Sequence, residues 1–343
     1  MVPPVLILYL TQSNKNMIKL NFDLYIINTV LFWEKRNFIM SKPLVLLIDF
    51  NNVLYSHYYS APLTNSKGEH VQAIKGFIMR LKSLREAFNP DYIVICHDVS
   101  RTKTFRREMY PPYKSNRKGT DEDVIFQMNA TLSLLALMGY PIIGNERYEA
   151  DDLLGMASRL AEELGMESII VSADRDLYQL ITYNTKIWSF KKGCMIDIPY
   201  MFDHYGLKPS QWIDLKILQG DKSDNIPGIE GIGEKTALQL MRGFGSIKDI
   251  YNCIDKLSKT LQAKLRAGKE VIPVTRTLVT IVTDYKLVQM TEKTFYRGEI
   301  FRDELYRRIG ELEIPSIVGP IKYGLLPEHI DTEPDQFLTM NYK

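Results

Sequence analysis

Residues 44–49 read "LVLLID", five apolar residues closed by an acid. The length and β-branched content suit a buried parallel strand. "YIVICHD" (92–98) repeats the pattern, and "SIIVSAD" (168–174) repeats it again. The last of these follows "DDLLGMASRLAEELG", where Leu153, Ala157, Leu160 and Leu164 recur on one helical face. "YPIIGNERYEADD" (140–152) reads as a short strand leading into that helix. Strands alternating with helices predict an α/β fold with a mostly parallel central sheet and helices on both faces.

Each apolar run stops in an acid: Asp49, Asp98, the cluster Glu149, Asp151 and Asp152, and Asp174 with Asp176. In open α/β sheets, ligands bind outside the carboxyl ends of the strands. Taken singly, each acid has a structural explanation, as a turn former at Asp49 or a helix cap at Asp151, Asp152 or Asp176. Together, seven carboxylates at one edge would repel one another and raise their own pKa values unless cations neutralised them. An all-oxygen set without His or Cys suits Mg²⁺ or Mn²⁺ rather than zinc.

The remaining composition is that of an ordinary globular protein. The chain has 343 residues, 45% hydrophobic and 24% charged, enough for two domains. Its three cysteines, Cys96, Cys194 and Cys253, match neither a zinc site nor a disulfide framework, which fits a reducing interior. The net charge of +2 hides segregation, since "RTKTFRREMYPPYKSNRK" (101–118) holds seven Lys or Arg against one Glu. The apolar runs in residues 1–39 are too short for the roughly 20 residues of a spanning helix and are broken by Lys15, Lys19 and Asp23. They lack a signal-peptide pattern, and Met40 opens "MSKPLVLLIDF" like a natural start. Residues 1–39 are therefore read as an extension of unknown role, an upstream start with an interfacial anchor as the alternative.

"GDKSDNIPGIEGIGEKTALQL" (220–240) is a glycine-rich loop running into a helix. A Walker A loop needs Gly-Lys-Ser/Thr directly, but Glu234 separates Gly233 from Lys235 and Thr236. A dinucleotide fingerprint needs a third glycine where Thr236 stands and a preceding strand. Two readings remain, a simple turn between helices or a helix-hairpin-helix whose backbone N–H groups hold a DNA phosphate. Asp221 and Asp224 lie just ahead of it.

Five stretches in order, "VLLIDFNN", "FRREMYPPYKSNRKGTDED", "YEADDLLG", "SADRDLYQL" and "GDKSDNIPGIEGIGEKTA", make residues 42–284 resemble the 5′ nuclease family. That family includes flap endonucleases, the 5′→3′ exonuclease domain of bacterial DNA polymerase I, and stand-alone phage exonucleases and ribonuclease H. The resemblance implies a PIN-like nuclease core over 40–205 with a basic arch or clamp at about 101–123. A helical DNA-binding region over 206–300 would carry the helix-hairpin-helix at about 224–245, and 301–343 would form a C-terminal tail. Pro111 and Pro112 argue against one uninterrupted arch helix. Too few residues remain for a polymerase domain.

Carried onto this sequence, the resemblance implies one metal position at Asp49, Asp98, Glu149 and Asp151. A second would be completed by Asp152, Asp174, Asp176, Asp221 and Asp224. The two Mg²⁺ or Mn²⁺ ions, roughly 4 Å apart, would hydrolyse phosphodiesters. Lys114 and Arg117 take the catalytic basic positions, Arg106 and Arg107 would grip the 5′ strand, and Tyr110 or Tyr113 would stack on a base. Gly231, Gly233, Lys235 and Thr236 would contact duplex phosphates, with a monovalent cation such as K⁺ assisting. The implied partners are DNA with 5′ flaps, free 5′ ends, nicks or gaps, and RNA/DNA hybrids, bound by a cytoplasmic monomer with no membrane association. The tail would serve replication proteins, and for a phage protein the compartment would be the host cytoplasm. A non-catalytic junction binder would profit from losing these acids, and an aspartyl-nucleophile phosphatase would want an acid where Asn51 stands. Ribonuclease H-type primer removal is the nearer rival.

Overall fold

The computed structural model describes residues 42–100, 102–117 and 119–327. The expectations for 1–39, for Arg101 and Lys118, and for the tail beyond Pro327 lie outside them. Six strands, β1 (Leu44–Asp49), β2 (Tyr92–Asp98), β3 (Ile142–Asn145), β4 (Glu167–Val171), β5 (Thr185–Ser189) and β6 (Cys194–Ile196), form one sheet in the order β3-β2-β1-β4-β5-β6. All neighbours are parallel except β5 and β6, a hairpin that the sequence reading did not anticipate. All six residues of β1 are buried, as a central strand covered on both faces requires.

The helices that frame the cleft are α1 (Phe50–Tyr58), α2 (Gln72–Phe88), α3 (Phe105–Met109), α4 (Glu122–Leu137) and α5 (Ala150–Glu163). Val45 and Leu47 of β1 join the core cluster that holds Leu153, Met156 and Leu160 of α5. Leu46 and Ile48 alternate to the opposite face, where Phe50 of α1 packs on Phe77 of α2 with ring centroids 5.2 Å apart. The central crossover therefore leaves the carboxyl ends of β1, β2 and β4 opening onto one crevice.

Further along the chain come α6 (Ile198–Tyr205), α7 (Trp212–Gln219), α8 (Glu234–Phe244), α9 (Ile247–Asn252), α10 (Lys259–Ala267), α11 (Ile272–Val279) and α12 (Arg302–Leu312). The expected boundary at 205/206 is not a gap in packing, because Trp212, Leu215 and Leu240 share the α5 core cluster. A second difference concerns residues 301–327, read as the start of a tail. Leu305, Ile309 and Leu312 of α12 are buried, as are Ile317, Ile321 and Leu325. This segment packs back on α2 and α4, its apolar spacing masked in sequence by the charged residues between. Among the described residues no helix is long and apolar enough to cross a membrane.

The segment between α7 and α8 folds on two glycines. Gly220 has φ +67°, and a Cβ on Gly228 would come within 2.4 Å of the Gln219 and Gly220 backbone. Asp221 and Ile226 bridge across the turn, and Ile229 N–H donates to the Leu218 carbonyl at 3.0 Å. Gly228→Ala is expected to lower stability by about 1–3 kcal/mol through overpacking, whereas Gly233→Ala, with open space around its Cβ position, should change it far less. Thermal unfolding of the two variants checks this, and equal melting temperatures would contradict it.

Candidate active site

The cleft at the carboxyl edge encloses about 400 Å³ and is lined by Asp49, Asp98, Glu149, Asp151, Asp174 and Asp224, with Lys114 and Arg117 beside them. Asp49 ends β1 and caps α1, accepting from Asn52 N–H at 3.1 Å and from the Ser172 hydroxyl at 2.6 Å. Asp98 ends β2 and accepts from Ala150 N–H, at the start of α5, at 2.8 Å. Asn51 accepts from Asp98 N–H and Asn52 from Ala173 N–H, each at 2.9 Å, so α1 ties the loops after β2 and β4 together. Ser172 Oγ accepts from Asp174 N–H at 3.0 Å. Asp49 and Asp98 are thus fixed by backbone and hydroxyl donors rather than by cations.

Among the described residues, Asp49, Asp98, Asp151 and Asp174 form no ion pair. Burial, followed by the charges of Asp174 and Asp98, pushes the Asp49 carboxyl up to about 7 despite its hydrogen bonds to Ser172 and Asn52. Burial and then Asp174 and Asp49 push Asp151 well above the carboxylate range. Asp98 is raised as well, by burial and by Glu149. Glu149 moves the other way: burial opposes its charge, but Lys114 and Arg106 outweigh it and hold the carboxyl low. Lys114 Nζ donates to Glu149 at 2.6 Å and lies 3.7 Å from Asp224, which Arg117 also pairs. No three His, Cys, Asp or Glu among the described residues close into a ready cation cage, and Glu149 and Asp224 are held by Lys114 and Arg117. The donor chemistry nevertheless fits a hard divalent cation, with oxygen ligands and uncompensated charge.

The expected nine-carboxylate set is not one cluster. Asp152 is fully buried and makes two hydrogen bonds to the Arg106 guanidinium at 2.6 and 2.7 Å. Arg106, 3% exposed, also donates to the Leu278 and Thr280 carbonyls, at 2.9 Å each. The expectations that Asp152 holds metal and that Arg106 grips a strand are therefore corrected: the two form an internal clamp, with no face left for a ligand. Tyr113 is likewise buried, its hydroxyl donating to Glu149 at 2.8 Å, so it does not offer a stacking face. Asp176 and Asp221 lie outside the cleft lining, joined by Lys216 at 2.5 and 2.7 Å. Burial raises Asp176 to about 6 against the pull of Lys216, and at the less buried Asp221 Lys216 prevails over desolvation, holding it down to about 2. Lys216 was missed in the sequence, where its only signal is a lysine interrupting the apolar run "WIDLKIL".

Among its described residues the basic segment holds one short helix, α3, followed by a turn, and no continuous arch helix. After α3 the chain turns through residues 111–117, and Lys114 takes a left-handed φ of 52°. Its N–H donates to Asp224 O at 2.8 Å, and Asn225, also left-handed, donates its side-chain amide to Pro112 O at 2.8 Å. Arg107 lines the cleft and donates to Tyr113 O at 2.5 Å. Gly231, Gly233 and Lys235 are exposed and Thr236 half-buried around the start of α8, where Gly233 caps without a side chain. Arg175, between Asp174 and Asp176, pairs with Glu234 of α8 at 2.6 Å, so the acidic loop and the hairpin helix are in direct contact.

Comparison with known proteins places this geometry. The family model described as the 5′-3′ exonuclease N-terminal resolvase-like domain matches residues 44–206, and that of the 5′-3′ exonuclease C-terminal SAM fold matches 207–300. Thermostable DNA polymerase I of Thermus thermophilus is 39% identical over 248 residues, 72% of this chain and 29% of that protein. DNA polymerase I of Bacillus subtilis is 36% identical over 284 residues, 78% of this chain and 32% of its own. The chain thus spans about a third of the length of these relatives. Among solved structures, phage T5 5′-exonuclease with zinc bound superposes with a TM-score of 0.59 at 22% identity, covering 78% of this chain and 99% of that one. The catalytic core of Rad2 in complex with DNA substrate gives 0.51 at 18% identity, covering 78% and 86%. At these identities the likeness is one of fold.

Two outcomes follow from the electrostatics. Asp152→Ala leaves buried Arg106 with Glu149 alone, at 3.1 Å, as its carboxylate partner and is expected to cost about 3 kcal/mol, read as a lower midpoint in urea unfolding; a change below about 1 kcal/mol would show the clamp to be dispensable. Asp49, near 7 in the folded chain against about 4 unfolded, binds more protons folded than unfolded between those values. Its contribution therefore makes the metal-free protein less stable as pH rises from about 4 to 7. Relative to wild type, Asp49→Asn should gain stability over that interval, and calorimetry finding a pH-independent difference would refute the assignment.

Proposed function

The chain belongs to the 5′–3′ exonuclease family, and on that premise we propose that it is a divalent-metal-dependent nuclease hydrolysing DNA from free 5′ ends and at 5′ flaps, nicks and gaps. The observation that carries this reading is the group Asp49, Asp98, Asp151 and Asp174, without ion pairs of their own, beside Lys114 and Arg117 in one open cleft. A protein that only bound junctions would be better served by neutral residues there. Asp49, Asp98, Asp151 and Asp174 would hold cations first, with Glu149 and Asp224 joining on release from Lys114 and Arg117. Two ions of the Mg²⁺ or Mn²⁺ class suit these oxygen donors. When bound, such ions activate water and stabilise the leaving oxygen.

The protein's own residues do the rest. Lys114 and Arg117, once parted from Glu149 and Asp224, face the scissile phosphate and neutralise its developing charge. Arg107 at the cleft wall meets the incoming strand. The exposed N–H groups at the start of α8, with Gly231, Gly233, Lys235 and Thr236, hold the duplex backbone, with K⁺ as an auxiliary ion. These contacts read phosphate and shape, so binding tolerates sequence, weakens with salt and extends to RNA/DNA hybrids. The protein would act as a cytoplasmic monomer.

Cleavage of a 5′-labelled flap with and without Mg²⁺ tests the reading. The wild type should cut near the junction only with the ion, and Asp174→Asn should lose about a hundredfold or more of the rate, as expected for a direct ligand. Tight flap binding without cutting in either protein would leave a junction binder.

A further inference from the structure

At the opposite edge of the sheet, where β2 and β3 begin, a second cavity of about 320 Å³ is lined by Arg85, Tyr92, Tyr140, Tyr296 and Arg297, with Pro327 at its lip. Its electrostatics invert those of the acidic cleft. Arg297 is half-buried over the Tyr140 ring, 4.4 Å from its centroid. Burial lowers its pKa and the charges of Arg85 and Arg302 lower it further, outweighing the opposing pull of the Tyr140 hydroxyl. None of these three arginines makes an ion pair among the described residues. Arg302 keeps a buried Nη2 without any hydrogen-bond partner. Their fixed partners are neutral: Arg85 donates to Leu325 O at 3.2 Å, and Arg297 to Met138 O at 2.8 Å and to Leu325 O at 3.0 Å. Tyr140 donates to the same Leu325 carbonyl at 2.9 Å. Asp91 is the acid in the lining, exposed and already accepting from Leu44 N–H at 2.7 Å.

Arg85 and Arg297 are held by neutral carbonyls at a cavity with room for a small molecule, with the charge of Arg302 nearby, and neither has a counter-ion among the described residues. We propose that this cavity is a phosphate-binding site, Arg85 and Arg297 supplying its charge-assisted donors. A dianion suits the two positive charges of Arg85 and Arg297, reinforced by Arg302 nearby, better than a single carboxylate would. The aromatic walls, with Tyr296 exposed, admit the ring of a nucleotide as well as inorganic phosphate. Bound phosphate would fasten the Leu325 turn to the start of β2, raising stability without touching the acidic cleft. The inference does not depend on the nuclease reading.

The test is thermal unfolding of the full chain in EDTA, with sodium phosphate against sodium chloride at matched ionic strength. Deoxyadenosine monophosphate and deoxyadenosine form the second pair of ligands. The wild type should melt several degrees higher with phosphate or the monophosphate, and not with the nucleoside. Arg85→Gln, which removes one bond to Leu325 O, should abolish the shift while still folding, and Arg117→Ala should keep it. Hydrogen exchange should slow at residues 295–298 and 325–327 when phosphate is added. If Arg85→Gln does not fold, Tyr296→Ala with hydrogen exchange decides the case, since slowing confined to the acidic cleft overturns the proposal. No shift in the wild type, or an unchanged shift in Arg85→Gln, also overturns it. A larger shift for the monophosphate than for inorganic phosphate identifies a nucleotide as the source.

Discussion

Mutual repulsion among carboxylates at one sheet edge is the constraint around which the structure is built. Strands that end in acids deliver negative charge to a shared crevice, and burying charge without compensation is expensive. The chain answers with three internal cations, each assigned to particular acids. Arg106 takes Asp152, Lys114 takes Glu149, and Lys216 spans Asp176 and Asp221. Asp49, Asp98 and Asp174 are left with hydrogen bonds, and with Asp151 they have no ion pair among the described residues. The pattern of neutralisation, rather than the number of acids, separates the four unpaired acids of the cleft from those already held by a cation.

The internal cations also link distant parts of the chain. Arg106 lies in the basic segment, yet its donors reach α5 through Asp152 and the end of α11 through Leu278. Lys114 and Asn225 dock the same segment onto the loop that leads into the hairpin. Arg175 joins the loop after β4 to the first turn of α8. Cleft, basic segment and hairpin helix therefore share one network, and a phosphate or cation that rearranges the Lys114 contacts acts on all three.

The strands β1 to β4 were legible in the sequence because they are short, continuous apolar runs with conspicuous acids at or just beyond their ends, whereas β5 and β6 carry no such run. The C-terminal packing was not, since charged residues hide the spacing of Leu305, Ile309 and Leu312. The functions of adjacent acids were harder still. Asp151 and Asp152 are neighbours, but successive helical residues point about 100° apart. Asp152 falls in line with Met156 and Leu160, both buried, while Asp151 falls near the row of Gly155 and Arg159. The phase of the α5 apolar stripe therefore carried the signal that Asp152 faces inward. Read by motif alone, the two appear equivalent.

Tyr113 and Arg106 show the limit of that kind of reading. Neither lies in a periodic element long enough to fix its direction, because α3 has five residues and the chain then turns at two prolines. Their burial is decided by tertiary partners, Glu149 for one and Asp152 for the other, that are 36 and 46 residues away in sequence. A basic, aromatic-rich loop has the composition of a nucleic-acid contact, but here two of its distinctive side chains, Arg106 and Tyr113, build the wall behind the contact. What remains exposed to a ligand, Arg107, Lys114 and Arg117, is defined by which carboxylates the buried members have already claimed.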